Sequence, residues 1–254
     1  MACTILILLC YRVSANQVNI RTVIRNYIPL TFRQELKRCL RYTADFRSGI
    51  SFDNNVGALV AEQAIKVVQP IMQSAFYENK VINITRGASL LNQNLIAPNG
   101  YWSFWQRIHR PSSSNGFLLG RNLINGELLA HTGGGLCQLS SMVYHLALLA
   151  GLTIVERHSH SIDIYEEDQR FTPLGADATV VWGFKDLRLY NPYPFAVSLQ
   201  FIVKNGELIG EINADTHLKQ RLVQFECEPL ENKRIKVNTF VDGHIHATTS
   251  YERN

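Results

Sequence analysis

The sequence has few cysteines and no spacing that would join them. Its five cysteines are far apart, their number is odd, and no Cys-x-x-Cys pair occurs. These features argue against a disulfide framework and against a structural zinc ribbon. We expect four of the five to be inert, buried thiols, because unpaired cysteine usually behaves as a small apolar residue. These four are Cys3, Cys10, Cys39 and Cys227.

The net charge is also low. The chain of 254 residues has a formal net charge of +4, with 18% charged and 46% hydrophobic residues. This composition predicts a globular protein with a sizeable core. The mildly basic balance suits contact with an acidic surface such as a cell wall or an anionic membrane. No arginine-rich helix or zinc-knuckle spacing occurs, so we expect no nucleic-acid partner.

Long apolar runs are missing too. The segment ACTILILLC near the start is too short to span a bilayer, so we expect no stable membrane span. It resembles the core of a signal peptide, with VSA before Asn16 as a cleavage site, but no Lys or Arg precedes it. A cell-envelope location depends on this segment acting as a signal peptide, and a cytoplasmic location follows otherwise. The oligomeric state is left open by the sequence.

The N-terminal half contains mainly helical patterns. Residues 31–44 read as a basic helix with Thr31 as its cap, and residues 56–77 have helix-forming composition interrupted at Pro70. The segment NITRGASLLNQ predicts a further helix, and YWSFW predicts a strand.

The C-terminal half contains mainly strand patterns. ATVVW, DLRLYN and FAVSLQFIV are rich in β-branched and aromatic residues, and Asn205-Gly206 and Asp242-Gly243 are hairpin signals. We therefore predict an α+β fold: N-terminal helices, one buried helix starting at Cys137, then a mainly antiparallel β-sheet.

Cys137 directly follows a glycine-rich loop. Gly133, Gly134 and Gly135 allow positive φ angles and a close approach of a ligand to the backbone. The apolar segment from Cys137 predicts a buried helix that ends at Gly151. A cysteine in the first turn of a helix experiences the positive end of the helix dipole, which favours the thiolate. Backbone N–H groups of the loop, including that of Gln138, would then stabilise an oxyanion.

Two histidines lie on the segment TIVERHSHSIDIY, whose alternation predicts a strand. On a regular strand His158 and His160 share one face, and either imidazole would serve a thiolate as base and acid. A third group should orient the imidazole. Asp177, before ATVVW, and Asp186, at the start of DLRLYN, are both candidates, and their spacing does not choose between them.

Other polar residues near this motif are weaker candidates. His131 lies across the flexible loop, and His145 is too far along the helix for a direct hydrogen bond to the sulfur. We expect Ser140 and Ser141 to have local or packing roles. Arg157 lies on the face opposite His158 if the strand is regular, and it would bind a carboxylate only if the strand ended there. A zinc site formed by His158, His160 and Cys137, with His131 as a further candidate ligand, is an alternative, but we expect no metal, because no other metal spacing occurs.

Several segments around Cys137 form a distinctive set. They are GGGLCQLSS, LAGLTIVERHSHS, DATV and DLRLYNPYPF, and upstream KVINITRGASLLNQNLIAPNGYWSFW and GFLLGRNLINGEL. Together they resemble the VanW family, which is named from vancomycin-resistance gene clusters. The resemblance covers residues 78–213. Some VanW-domain proteins are L,D-transpeptidases of peptidoglycan that use the motif cysteine as nucleophile.

The resemblance carries specific expectations for this chain. It implies that Cys137 is the nucleophile and that His160, in the His-Ser pair, is the base, whereas the position of His158 varies more in the family. It further implies peptidoglycan stem peptides or their precursors as partners, without a cofactor. The rival hypothesis is a non-enzymatic module linked to glycopeptide resistance that binds peptidoglycan or a precursor, with Cys137 as a structural thiol. An activated thiol favours the enzyme and an inert one favours the binding module.

The predicted organisation has four parts. Residues 1–20 form an N-terminal segment that is either a weak signal peptide or disordered, and residues 21–77 form a helical lead-in. Residues 78–214 form the VanW domain, and residues 215–254 form a C-terminal β-hairpin extension.

Overall fold

The computed structural model describes most of the chain after its N-terminal segment. The described residues are 27–52, 57, 59, 64–92, 94–124, 127–163 and 170–253. The predicted signal peptide and the residues Cys3 and Cys10 therefore lie outside the described ranges.

Helices provide the smaller share of the described secondary structure. Their bounds are α1 Leu30–Arg47, α2 Tyr77–Leu91, α3 Phe104–Ile108 and α4 Leu136–Ala150, with a 3-10 turn at Ser113–Asn115. Among the described residues, no helix has the length and apolar character needed to cross a bilayer.

Strands provide the larger share. They are β1 Ile65–Pro70, β2 Asn94–Ile96, β3 Tyr101–Ser103, β4 Leu119–Ile124, β5 Glu127–Thr132, β6 Thr153–Glu156, β7 Ile162–Asp163, β8 Arg188–Tyr190, β9 Val197–Lys204, β10 Glu207–Ala214, β11 Val223–Leu230, β12 Arg234–Val241 and β13 His244–Arg253.

The strands form several mainly antiparallel sheets. The largest have the orders β1-β10-β9-β2 and β11-β12-β13-β7, with smaller sheets β3-β8-β6 and β4-β5. Every pair is antiparallel except β13 with β7. Both predicted hairpins are present, with Asn205-Gly206 joining β9 to β10 and Asp242-Gly243 joining β12 to β13. All four of these residues have positive φ, as tight hairpin turns require. The predicted α+β class is confirmed.

Helix α4 lies in the centre of the core. It packs against β1, β10 and α2, and Leu139, Met142 and Leu146 on its apolar surface are fully buried. At Gly210 of β10 a Cβ atom would come within 2.8 Å of Met142, so the glycine lets the helix approach the sheet closely. Gly151 ends the helix with a φ of 70°. The predicted buried helix is confirmed.

Some local predictions for the lead-in were wrong. Part of the helix predicted over residues 56–77 is strand β1, whose register with β10 is antiparallel over its full length. Pro70 is the last residue of that strand, a position where the missing N–H costs no interior ladder hydrogen bond. Helix α1 starts at Leu30 with Pro29 as its N-cap, so Thr31 is not the cap. Cys39 is exposed rather than buried, and so is Cys227.

Three of the predicted strands form only in part or not at all. YWSFW is split between β3 and the short helix α3, because Ser103 accepts a hydrogen bond from the Gln106 N–H and caps that helix. ATVVW forms no strand, and only an isolated bridge joins Val181 to Lys185. TIVERHSHSIDIY forms β6, then an irregular segment over residues 157–161, and then β7. The regular strand that was to place both histidines on one face is therefore absent.

Candidate active site

The glycine-rich loop forms a tight turn at the start of α4. Gly133 and Gly135 have φ angles of 87° and 103°, in the left-handed region that side chains disfavour. Cys137 is the second residue of the helix that follows, and its side chain is partly exposed. The predicted loop conformation and helix start are thus both present, and they place the thiol at the positive end of a buried helix.

Contacts from α2 and β4 hold this loop in place. The side-chain amide of Asn83, which is fully buried, donates to the Gly134 carbonyl at 2.9 Å and to the Leu118 carbonyl at 3.0 Å. Its oxygen accepts from the Leu118 N–H. Gly134 packs directly on Gly120, where a Cβ atom would come within 2.9 Å of the Gly134 Cα. The loop before Cys137 is therefore fixed by tertiary contacts.

His160 and Asp177 form a close pair. The ring Nδ1 of His160 lies 2.9 Å from Asp177 Oδ2, and the same oxygen accepts from the His160 backbone N–H at 2.7 Å. This double contact fixes the orientation of the imidazole. It leaves Nε2 as the ring nitrogen available to another partner.

The imidazole of His160 adjoins the thiol of Cys137 and is the main group that favours its thiolate form. Burial by itself raises the pKa of the Cys137 thiol, but the hydrogen bond to His160 and its positive charge outweigh burial, so the pKa is lowered. Burial likewise lowers the pKa of His160, but the hydrogen bonds to Asp177 and Cys137 outweigh it, so that pKa is raised. Both directions favour a thiolate–imidazolium pair.

The carboxylate of Asp177 is held by further residues. Its Oδ1 accepts from Arg157 Nη2 at 2.9 Å and from the Tyr251 hydroxyl. Arg157 also donates to the Asp177 carbonyl and to the hydroxyl of Thr249. Burial alone raises the pKa of Asp177, but the hydrogen bond from His160, the charges of Arg157 and His160 and the hydrogen bond from Tyr251 outweigh it, and the pKa is lowered. Asp177 therefore remains ionised opposite His160.

Two serines of α4 connect the nucleophile helix to the Asp177 segment. Ser141 Oγ donates to the Cys137 carbonyl at 2.7 Å and accepts from the Ala178 N–H at 2.9 Å. Ser140 Oγ donates to the Ala178 carbonyl at 2.6 Å. Ala178 directly follows Asp177, so these serines fix the distance between the thiol and the carboxylate. The local bonding role predicted for them is present, and it extends across the site.

The family model described as VanW like protein matches residues 79–213, which is more than half of the chain. The chain belongs to the VanW family. It is 31% identical over 140 residues to the Vancomycin B-type resistance protein VanW of Enterococcus faecalis, an alignment that covers 55% of this chain and 51% of that relative.

A second relative is the uncharacterized protein YoaR of Bacillus subtilis. It is 31% identical over 147 residues, covering 58% of this chain and 47% of YoaR. The chain thus spans about half the length of each of these curated relatives. No solved structure matches it significantly. All the residues that surround the thiol, except Tyr251 and Thr249, lie within the VanW-family segment.

The structure separates the two candidate histidines. Whereas His160 lies between Cys137 and Asp177, the Nε2 of His158 is 2.9 Å from Glu156 Oε1. Glu156 is in turn paired with Arg41. The two rings therefore belong to different hydrogen-bond networks, and only the His160 ring is placed against the thiol.

The two candidate aspartates are separated in the same way. Asp186 accepts from the Ser103 hydroxyl at 2.6 Å and from the Trp105 N–H at 3.2 Å. Burial raises the pKa of Asp186. Its two side-chain oxygens are used to hold the start of α3 and the β8 segment, so Asp177 is the aspartate that the structure brings to the imidazole.

The predicted oxyanion donors differ in availability. The N–H of Leu136 donates to the Gly133 carbonyl at 3.2 Å, and the N–H of Gln138 donates to the Gly135 carbonyl at 3.0 Å. The Gln138 side chain donates to the Pro70 carbonyl. The N–H of Cys137 meets no acceptor within the described part of the chain. Of the other predicted donors, the N–H of Gly133 is used as well, since it donates to the Leu118 carbonyl at 3.0 Å. Among the described residues, the N–H groups of Gly134, Gly135 and Cys137 are thus the ones left for a ligand oxygen.

The remaining histidines lie away from the thiol network. His145 is partly buried beside Phe225, and desolvation lowers its pKa to about 4. His131 is exposed and contacts the neighbouring Thr132 carbonyl. Over the described ranges, no group of three His, Cys, Asp or Glu side chains could hold a metal ion.

Arg157, Tyr251 and Thr249 are the site residues that the sequence did not indicate. A regular strand through Arg157 directs its side chain away from the His158 face, but the strand ends at Glu156, and Arg157 binds the Asp177 carboxylate. Tyr251 and Thr249 lie on β13, in the segment predicted to be a separate extension. No local pattern marks the contact of Thr249 with Arg157 or that of Tyr251 with Asp177, and the second joins residues 74 positions apart.

Proposed function

We propose that this protein is a cysteine acyltransferase, similar to an L,D-transpeptidase, that acts on peptidoglycan stem peptides. The observation that carries the proposal is the order Cys137–His160–Asp177, in which the imidazole adjoins the thiol and is hydrogen-bonded to a buried carboxylate. This order gives an activated nucleophile, a proton carrier and an orienting group. The peptidoglycan substrate is inferred from family membership and from the vancomycin-resistance name of one relative.

The first half-reaction would form a thioester. The Cys137 thiolate attacks the carbonyl carbon before the terminal D-residue, and the carbonyl oxygen becomes an oxyanion facing the Cys137 N–H. The tetrahedral intermediate collapses as the C–N bond breaks. The imidazolium of His160 gives its proton to the departing amine, so the D-amino acid leaves and the acyl group stays on sulfur.

The second half-reaction would release the acyl group. Neutral His160 takes a proton from an acceptor amine, or from water, as that nucleophile attacks the thioester carbonyl. Cleavage of the C–S bond restores the thiolate beside an imidazolium. An amine acceptor yields a cross-link, and water yields a shortened stem. Asp177 stays ionised throughout and keeps the ring aimed at the sulfur.

Iodoacetamide alkylation tests the activated thiol directly. Cys39 and Cys227 are exposed, so they and the two N-terminal cysteines are first replaced by serine. We expect the alkylation rate of Cys137 to reach half its maximum at a pH well below ~8.5, the pKa of ordinary cysteine. A midpoint at or above that value would contradict the enzyme and favour the non-enzymatic binding module.

A matched pair of histidine variants then tests the role of the imidazole. We expect His160→Ala to move the Cys137 midpoint up to the ordinary range and to lower turnover of a tetrapeptide stem by at least a hundredfold, because the base and counterion are both lost. His158→Ala is the control and should leave the midpoint in place. Turnover that persists in a Cys137→Ala protein would overturn the proposal.

A further inference from the structure

A surface cavity of about 160 Å³ lies between α1 and the segment that follows Asp177. Its lining carries four cationic side chains: Arg38 and Arg41 from α1, Lys185 from the turn before β8, and Arg188 from β8. Neither the thiol chemistry nor the contacts of the triad uses this cavity.

Part of the cavity lining follows closely in sequence the residue that contacts the candidate nucleophile. The Sγ atom of Cys137 is 3.9 Å from the Val180 carbonyl. Val181 and Lys185 exchange two backbone hydrogen bonds, so residues 181–185 form a tight turn. Trp182 and Lys185 of that turn line the cavity. Two residues of chain span at most about 7 Å, so the Cα atom of Trp182 in the cavity wall lies within about 7 Å of that of Val180.

Part of the positive charge is already balanced by internal carboxylates. Asp45 binds Arg188 in a bidentate pair, with distances of 2.8 and 3.1 Å, and Glu156 binds Arg41. Asp186, which also lines the cavity, accepts from Ser103 and from the Trp105 N–H, and its Oδ2 lies 3.3 Å from Arg188 Nε. These contacts fix the two arginines and occupy the acidic groups.

The other two cations, Arg38 and Lys185, are paired less strongly with carboxylates of the protein. Arg38 pairs with Glu35, whose side chain is 48% exposed, so this pair is screened by solvent. Among the described residues, the Lys185 ammonium has no carboxylate partner. The cavity therefore presents two cationic groups that an incoming anion would satisfy.

Two indole rings complete the cavity. Trp105 and Trp182 both line it and meet edge to face, with ring centroids 5.6 Å apart. The guanidinium of Arg38 stacks over the Trp182 ring at 4.6 Å. Apolar ring surfaces beside cationic groups suit a small organic acid better than a bare inorganic ion, since both the anion and its carbon atoms find partners.

We propose that this cavity binds a carboxylate of the acyl-donor peptide, through Arg38 and Lys185, and thereby places the donor's scissile bond beside Cys137. The inference rests on the proposed function, because it names the group by which that donor is held. In this role Arg38 and Lys185 are specificity-determining residues, and the indoles pack against the donor's carbon atoms.

The test measures peptide binding without turnover. A Cys137→Ala protein is titrated with a synthetic tetrapeptide stem, once with free carboxylates and once with every carboxylate amidated, by calorimetry and tryptophan fluorescence. Two of the three tryptophans line the cavity. We expect the free acid to bind at least tenfold more tightly than the amidated peptide. Lys185→Gln and Arg38→Gln should each weaken binding of the free acid about fivefold to tenfold and leave the amidated peptide unaffected.

Lys37→Gln is the matched control, because Lys37 is an exposed cation of the same helix that does not line the cavity. It should bind both peptides like the parent. Three results would each overturn the carboxylate site. They are equal binding of the free-acid and amidated peptides, equal affinity of the parent and all variants for the free acid, and no binding of peptide to the parent.

Alkylation separates this proposal from the proposed function. In proteins that retain Cys137, Lys185→Gln and Arg38→Gln should leave the alkylation midpoint unchanged. Carboxylate-dependent binding with an ordinary thiol would sustain the cavity and reject the acyltransferase. An activated thiol with carboxylate-independent binding would reject the cavity alone.

Discussion

Asp177 connects more of the site than any other single side chain described above. Its two oxygens accept from His160, Arg157 and Tyr251, and the residue is buried. A buried carboxylate is tolerated only when charges and hydrogen bonds compensate its lost hydration. Asp177 therefore couples the protonation of the imidazole to the packing of the site.

At the residue scale, Asp177→Asn should weaken the thiolate–imidazolium pair. The amide carries no charge to stabilise the imidazolium, so we expect the pKa of His160 to fall and that of Cys137 to rise. The midpoint of Cys137 alkylation should move up by at least one pH unit. The free energy of unfolding should fall by about 3 kcal/mol, because Arg157 loses its buried partner. Asp186→Asn is the control, and an equal midpoint in the two variants would contradict this role.

Helix α2 packs against the junction between the glycine loop and α4. Gly135 has a φ of 103°, and a Cβ atom there would lie 3.0 Å from Lys80 Cγ and 3.1 Å from Ile84 Cγ1. Any side chain at this position meets both backbone strain and crowding from α2. The start of α4, and with it the thiol, is therefore set by two elements together.

At the element scale, Gly135→Ala should therefore destabilise the protein more than a glycine-to-alanine substitution that introduces only backbone strain. We expect a loss of about 2–3 kcal/mol in urea unfolding, from a strained φ plus displaced α2 side chains. Gly243→Ala is the comparison, since Gly243 has a φ of 81° and no atom within 4 Å of the added Cβ. Its loss should be about 1 kcal/mol. Equal losses would show that contact with α2 has no part in fixing the loop.

The last strand joins the site to the rest of the molecule. β13 pairs with β12 along its length and with β7 near its end, and its Tyr251 and Thr249 contact Asp177 and Arg157. The C-terminal sheet thus supports the triad in addition to closing the fold.

At the scale of the whole molecule, Tyr251→Phe should raise the alkylation midpoint of Cys137 without removing any group near the sulfur. The variant leaves Asp177 with one hydrogen bond fewer, so the carboxylate, and with it the imidazole that it orients against the thiol, is held less firmly. We expect a shift of about half a pH unit and a loss of about 1–2 kcal/mol in stability. Tyr190→Phe, whose hydroxyl contacts the exposed Asn99, is the control. An unchanged midpoint would contradict coupling through β13.

Stability should depend on pH through the buried carboxylates. Burial alone raises the pKa of Glu156, but the hydrogen bonds to His158 and Arg41 and the charge of Arg41 outweigh it and lower the pKa to about 2. The pKa of Asp177 is lowered as well. A carboxyl group with a lowered folded-state pKa contributes stability that is present above its unfolded pKa, about 4, and is lost as the pH falls through the folded value.

The free energy of unfolding should therefore decrease steadily below about pH 4. Glu156→Gln should lower stability at pH 7 by about 2–3 kcal/mol and make the acid limb shallower, since its contribution is already absent. Urea unfolding from pH 2.5 to pH 7 measures both effects. Parallel curves for the parent and the variant would show that Glu156 does not contribute to acid sensitivity.

The correct and incorrect sequence predictions divide according to the range of the interactions. The start of α4 at the glycine loop, its end at Gly151 and the two hairpins followed from residues adjacent in the chain, and all are present. The strand β1 was misread as helix because its composition is compatible with both, and pairing with β10 decided the outcome. The segment after Glu156 was expected to be regular, but its contacts with Asp177 bend it out of the sheet.

By itself, the sequence determined the local features of this protein: the α+β class, a cysteine at the start of a buried helix after glycines, and the histidines and aspartates available to it. Local backbone preferences and apolar periodicity depend on residues that are close together in the sequence. Only the tertiary structure decided that His160 rather than His158 meets the thiol, that Asp177 rather than Asp186 holds the ring, and that Arg157 and Tyr251 support that carboxylate. Those choices depend on which distant segments pack together, because a buried charge is stable only where partners from several elements converge.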